Sequence, residues 1–435
     1  MFSTITAAQI KAGRRALLDG WGPRPNVLMV KAKGARMWDS NDKEYIACES
    51  QAFALSIGAL HPMVVEAVRE QAGRISHTAY GWDNVPMLLL SQKLAKLAPG
   101  NLNKVNYCLE GSLAVEGAMK LAIKNSSGKR YFVTMDHGYH GRTFLTMSAS
   151  WKHPYSSPYI PFIENVIKVP EAYCYRCAFN LDCAACNLLC VQYLDDTLKN
   201  RVPGGAVAVL MEAVQGNGGQ ISFMKNYHKK IREVCTKNKV LLIYDEVQTG
   251  FGRTGKLFAS ELYGVVPDIM TFGKAIGGGY PLAGFMANDK LKPFDPGENA
   301  FTFSHFPVSM IAALATLEVI EKEKLLERCV KLGEYITCRL VEMQQKYPII
   351  GDIRGPGLAI GIELVKDPVS KEPAVAEANK FLAEGIKNGV IFGVSLYGAL
   401  GHIVKIKPPM VISDDEVETV LRVFEKCIKS VSKRT

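Results

Sequence analysis

The sequence predicts an α/β fold, with a mostly parallel sheet in a large domain and a smaller α+β domain assembled from the two ends of the chain. Short apolar runs with a strand bias alternate with stretches of helical period through the middle of the chain, as in a sheet covered on both faces. After about residue 320 that alternation gives way to a long charged helical stretch followed by further strands. At 435 residues the chain also exceeds what one hydrophobic core fills, so two domains are expected. The expected division is a segment 1–60 that contributes to the smaller domain, a large domain 61–317 and a C-terminal part 318–435.

Residues 26–46 read as short antiparallel strands with a turn at Asn41-Asp42. His61-Pro62 opens an amphipathic helix whose Val64, Val65, Val68 and Ala72 share a face. Gly111-Ser112 precede a second helix with Ala114, Ala118, Leu121 and Ala122 aligned. Strands follow at 130–135, 206–211 and 240–244, with a helix at 227–238. One long charged helix is expected over 317–347, then strands at 351–354 and 358–365, a helix, a strand at 403–406 and a last helix from Asp414.

Composition excludes several classes of function. Apolar residues make up 48% and charged residues 22%, and no apolar run approaches the roughly 18 residues of a membrane span. The net charge of +10 is scattered, with no basic run interleaved with aromatics, so a solvated surface is expected rather than nucleic-acid binding. The first twenty residues lack a continuous apolar core; they read as a plain helix, with an organelle-targeting role as the alternative. Eleven cysteines without a secretion signal point to a reducing compartment, and a cytoplasmic location is expected. Five of them, Cys174, Cys177, Cys183, Cys186 and Cys190, crowd one segment. Two Cys-x-x-Cys pairs could surround a zinc ion, but the gap between them is short and no histidine is near, so a disulfide or simple packing stays open and no metal is assigned.

The chemistry lies at strand ends. In open parallel sheets ligands sit at the carboxyl ends of the strands, and VLLIY (240–244) runs directly into Asp245 and Glu246. A buried unpaired charge is costly, so a cation is expected there. Lys274 follows a short apolar strand and precedes a glycine-rich turn, where partial desolvation favours the neutral, nucleophilic amine. Taken singly, Lys274 reads as a surface lysine and Asp245 as a capping carboxylate. Together they suit pyridoxal phosphate. Its aldehyde needs a lysine, its ring nitrogen a buried carboxylate, and its phosphate the N–H groups of a helix start, which Gly111-Ser112 could supply.

The stretches D245-E-V-Q-T-G-F-G-R-T-G255 and T-F-G-K274-A-I-G-G-G-Y-P-L-A-G resemble the class III pyridoxal-phosphate aminotransferases, and the similarity runs from GARMWDSNDKEYI to IKPPMVIS. The resemblance implies a fold-type I enzyme in which Lys274 carries the Schiff base and Asp245 holds the pyridine nitrogen. It further implies that Gln248 bonds the phenolic oxygen and that Tyr139, with His140 beside it, stacks on the ring. Glu212 would be the acidic residue near the cofactor. Thr302 would reach the phosphate from a neighbouring subunit, so a homodimer or larger assembly is implied. Substrates would be an amine or (omega-)amino acid and an oxo acid such as pyruvate or 2-oxoglutarate; a racemase or epimerase of the same family is the alternative, and a decarboxylating enzyme the third reading.

Two departures bear on substrate. The phosphate loop reads L109-E-G-S-L-A-V-E116, where Glu110 is expected to face away from the phosphate. Relatives acting on α-amino acids carry arginine where H402-I-V-K-I-K-P-P409 has Lys405, and in several of them it pairs with a glutamate at the position of Asn217. A lysine offers a point charge where arginine offers two parallel hydrogen bonds. Either the lysine serves in the same role, or the site is rebuilt for another donor, another carboxylate position or racemisation.

Overall fold

The computed structural model describes residues 5–18, 27–151, 157–159, 163–396 and 401–432. Two seven-stranded sheets organise them. In the first, the strands run in the order Lys104–Cys108, Ala283–Ala287, Ile269–Phe272, Leu241–Asp245, Ala206–Glu212, Tyr131–Met135 and Val166–Val169. All its pairings are parallel except the two made by Ala283–Ala287. The Ala206–Glu212 strand is buried at every position, as expected where helices cover both faces. Asp245 lies in register with Glu212 on one side and Thr271 on the other, so three neighbouring strands bring their carboxyl ends to one level.

The second sheet draws on both ends of the chain. Met29–Lys33, Arg36–Asp39 and Glu44–Cys48 join Val390–Ser395, Ile403–Ile406, Ile360–Leu364 and Ile350–Arg354. The seam is a parallel pairing of Ile46–Cys48 with Val390–Phe392. Residue 26, where the first strand was expected to begin, lies outside the described residues, as do the two ends of the N-terminal stretch around the helix Ala7–Ala16.

Several elements differ from the expectation. The single helix over 317–347 is two, Pro307–Lys322 and Leu325–Lys346, because Lys324 takes a left-handed conformation (φ 50°) that breaks the ladder. Residue 317 lies inside the first of these. The strand Val390–Ser395 had no counterpart in the sequence reading. In the helix Pro62–Arg74, Gln71 is buried and Ala72 exposed; the Gln71 side chain is accommodated by donating to the carbonyl of Ile75 at 3.2 Å.

A fully buried arginine ties the two sheets together. Ser50, Gln51, Ala52 and Phe53 all have positive φ (46°, 46°, 57° and 70°), a left-handed turn of non-glycine residues. Each such residue costs about 1–2 kcal/mol, so the turn persists only where its surroundings hold it. Arg253 Nη2 donates to Ser50 Oγ (3.2 Å) and Ser56 Oγ (2.8 Å), while Nη1 donates to the carbonyls of Leu358 and Pro408. Burial pushes the guanidinium down to about 10, so it stays charged at neutral pH.

Candidate active site

One cavity of about 320 Å³ opens at the carboxyl ends of the first sheet, lined among others by Gly111, Ser112, Tyr139, His140, Glu212, Asp245, Gln248 and Lys274. Eight of the residues singled out in the sequence therefore meet in one place. Asp245 ends its strand there, held from three directions. His140 Nδ1 lies 2.9 Å from Oδ2, and Oδ1 accepts from Thr271 Oγ (3.1 Å) and from the backbone N–H of Val247 (3.1 Å). With Asp245 ionised, His140 Nδ1 is the donor. His140 Nε2 is buried and has no hydrogen-bond partner among the described residues, and the same holds for Gln248 Oε1.

Lys274 follows Gly273 at the end of the Ile269–Phe272 strand, with φ 48°. A lysine in the left-handed region is a strained position of the kind found at active sites. Burial lowers its pKa, opposed by the charges of Asp245, Glu212 and Glu110. No hydrogen bond or ion pair occupies its Nζ among the described residues. Glu212 accepts from the backbone N–H groups of Tyr139 (2.9 Å) and Gly216 (2.8 Å), which fastens two cavity loops to one strand end. Burial pushes its carboxyl up to about 7, and the nearby Asp245 adds to that.

The second carboxylate at the strand end is structural. Glu246 accepts from the N–H groups of Ala259 (2.6 Å) and Ser260 (2.7 Å) and from Thr249 Oγ (3.1 Å), so it caps a neighbouring turn. The helix Gly111–Lys124 starts at the cavity, and its N-cap residue, Glu110, makes no side-chain cap. Its first N–H groups thus remain available to an anion. A methyl at Gly111 would meet Val247 Cγ1 at 2.7 Å, so only glycine fits there. Glu110 itself lines the cavity and its charge reaches Lys274; it does not face away.

Three other expected residues stand apart. Thr302 is exposed and Asn217 half-buried; neither lines the cavity, and the Asn217 side chain makes no hydrogen bond among the described residues. Lys405 is buried on the Ile403–Ile406 strand of the second sheet, near enough for the charges of Lys274 and Glu212 to act on it. The five crowded cysteines are free thiols around a small apolar space, with Cys174 Sγ and Cys183 Sγ 2.8 Å apart. Among the described residues no three His, Cys, Asp or Glu side chains are grouped to hold a metal ion, and no helix is long and apolar enough to cross a membrane.

With that geometry in place, sequence comparison is decisive. The profile of the family described as Aminotransferase class-III matches residues 20–428. The chain belongs to the class III aminotransferases. A leucine/methionine racemase of Thermococcus litoralis is 36% identical over 93% of this aminotransferase and 91% of its own length. An acetylornithine aminotransferase of Methanothermobacter thermautotrophicus is 34% identical over 97% and 98%. Among solved structures, an (S)-enantioselective omega-transaminase from Thermomicrobium roseum superposes with a TM-score of 0.90 at 29% identity, covering 98% of this chain and 99% of that one.

The cofactor of the family is pyridoxal phosphate, and the cavity suits it. A held carboxylate, an unpartnered amine on the half-buried Lys274, two buried polar atoms without partners and an uncapped helix start match the ring nitrogen, aldehyde, ring substituents and phosphate in kind. Sequence reasoning missed Arg253, although it stands in the quoted motif, because nothing in a loop sequence distinguishes a buried clamp from a surface cation.

Proposed function

We propose that this enzyme moves the amino group of an amine or amino acid, omega-amino acids included, to an oxo acid such as pyruvate or 2-oxoglutarate, working as a homodimer. The observation that carries the proposal is the meeting, in one cavity, of the unpartnered amine of the half-buried Lys274 and the triply held carboxylate of Asp245.

When bound, pyridoxal phosphate supplies an aldehyde that takes up amino groups and a ring that draws electron density from the carbon beside the nitrogen. Asp245 would hold the ring nitrogen, Gln248 the phenolic oxygen, Tyr139 a ring face, and the N–H groups of Gly111 and Ser112 the phosphate. His140 keeps Asp245 in place by hydrogen bonding. Lys274 Nζ, which burial favours as the neutral amine, takes the proton from the amino-bearing carbon of the substrate. Lys405, on the second sheet, lies near enough for the charges of Lys274 and Glu212 to act on it and would add positive charge there.

The exposed Thr302 belongs to a surface that supports pairing of two copies. Tyr80, Trp82, Val85, Leu88, Leu89 and Phe303 are all exposed. The rings of His77 and Phe303 lie 4.8 Å apart, and Asn84 Nδ2 donates to the carbonyl of His305 at 2.9 Å, which joins these segments into one face. Such a patch marks an interface, and Thr302 would enter the partner's cavity from it.

Racemisation is the second reading, favoured by the 36% identity to the leucine/methionine racemase. It needs the same lysine and differs in that a proton returns to the original carbon on either face. Incubating the holoenzyme with L- and D-amino acids and simple amines in deuterated water separates the two. Formation of an oxo product with conversion of the cofactor to its aminated form supports transamination. Deuterium at the substrate carbon with loss of chirality and no oxo product replaces it with racemisation.

A further inference from the structure

The structure sets a second lysine, Lys407, beside Lys405. Lys405 and Lys407 are two residues apart along an extended segment, so their side chains leave the same face. They are only 2% and 4% exposed. Neither amine has a hydrogen bond or ion pair among the described residues; the contact recorded for Lys407 Nζ is the Phe53 ring, 3.7 Å from its centroid. Two enclosed amines with no hydrogen-bond partner are placed to meet an arriving anionic group.

The surrounding sheet makes room for them. Both cross-strand neighbours of Lys405 are glycines, Gly361 on one side and Gly393 on the other. A methyl at Gly393 would come within 2.9 Å of Lys407 Cε and 3.3 Å of Lys405 Cβ; one at Gly361 would strike the carbonyl of Gly219 at 2.4 Å. The glycines thus clear space beside the two lysine stems and allow the turn at Gly219, between the short strands Val214–Gln215 and Ile221–Ser222, to approach the sheet closely.

We propose that Lys407 acts with Lys405 as a two-amine seat for a substrate carboxylate, and that Lys407 is the residue that makes the enzyme prefer carboxylate-bearing donors to simple amines. The proposal rests on the reading of the chain as an aminotransferase that accepts amino acids. One arginine grips a carboxylate with a planar fork; two lysines on one strand face offer one donor to each oxygen from separate stems. The charged groups that act on the pair are Lys274, Glu212, Glu49 and Arg253. Burial pushes Lys405 down to about 8, the charge of Lys274 pushing the same way, and burial with the charge of Lys405 holds Lys407 well below its ordinary value. An arriving carboxylate favours the charged forms, so binding takes up protons and weakens as pH rises through about 8.

The test is calorimetric titration of the holoenzyme with butyrate, using 1-butanol as the uncharged control, in buffers of different ionisation heat. Wild type should bind butyrate with proton uptake and an affinity that falls above about pH 8. Lys407→Met should weaken butyrate roughly 10- to 100-fold, the loss of one charge-assisted hydrogen bond, and reduce the proton uptake on binding. Lys407→Arg, which keeps the charge, should recover part of the affinity. The Met variant removes a buried amine, so a merely structural lysine would give equal butyrate affinity and an unchanged or higher melting temperature; that result overturns the seat. If the Met variant does not fold, the wild-type titration decides, since butyrate binding without proton uptake, or no binding, overturns it equally. An enzyme that binds butyrate through Lys407 but transaminates nothing keeps the seat and loses the aminotransferase reading. One that transaminates while ignoring Lys407 does the reverse.

Discussion

Asp245→Asn isolates the charge of the carboxylate that lines the cavity from its shape. Of the three contacts on the carboxylate, two fall on Oδ1, from the Val247 N–H and Thr271 Oγ, and an asparagine oxygen accepts both. The third changes sense: the asparagine Nδ2 would donate to His140 Nδ1, which now donates to Asp245 Oδ2 at 2.9 Å. His140 can accept that by moving its proton to Nε2. That atom has no partner among the described residues, so the tautomer change breaks no existing bond. The hydrogen-bond set is thereby kept, and stability should change by no more than about 1 kcal/mol. Turnover should fall by about 10²-fold or more, because the amide removes a preorganised charge, comparable to deleting one dedicated electrostatic stabiliser. Steady-state kinetics on the purified holoenzyme, with melting temperature and cofactor absorbance as controls, make the comparison. Near-normal kcat with bound cofactor would show that Asp245 is not the ring partner. A large loss of stability would show that His140 cannot reverse its tautomer and that the network was misread.

Other expectations bear on the amine, the clamp and the interface. Borohydride reduction of the holoenzyme followed by peptide mapping should place the pyridoxyl label on Lys274 within TFGKAIGGG, and Lys274→Met should abolish turnover; a label on another lysine refutes the assignment. Arg253→Met should lower stability by about 2–5 kcal/mol in urea titration, because the carbonyls of Leu358 and Pro408 lose a buried donor and the left-handed turn loses its support. A change under about 1 kcal/mol would mean that the turn holds itself. If Thr302 serves the partner's cavity, mixing Thr302→Ala and Lys274→Met subunits should regenerate dimers with one complete site and raise activity above either parent. No gain on mixing places Thr302 outside the site.

The parallel sheet and the cavity at its carboxyl end were legible because burial on both faces demands continuous apolar runs, and a carboxylate following such a run has few structural excuses. Lys274 was legible for the same reason, flanked by an apolar strand and a glycine turn. Glu246 shows the limit of that logic: equally buried and one residue along, it serves backbone N–H groups that no sequence pattern announces. Glu110 was expected to face away from the phosphate on charge alone, but as the N-cap of the helix its place in the cavity lining follows from where that helix starts. Lys407 and the Ser50–Phe53 turn escaped notice because their meaning comes from partners hundreds of residues away. The break at Lys324 was hidden by helix-favouring residues on either side of it.

The seam between Ile46–Cys48 and Val390–Phe392 imposes an order on the birth of the molecule. As the ribosome extends the chain, the first three strands emerge early, but the strand that completes their sheet follows about 350 residues later, on the order of half a minute at ordinary translation rates. The first sheet, contained within 104–287, has all its strands out of the tunnel long before then. Through that interval the strand Glu44–Cys48 offers an unpaired, largely apolar edge, and the turn at Ser50–Phe53 lacks the Pro408 segment that Arg253 will bind. The nascent protein therefore carries that open edge until residue 390 and its neighbours have emerged, a strand edge of the kind that pairs with other chains. A chain cut short before residue 390 would remain in that state for good.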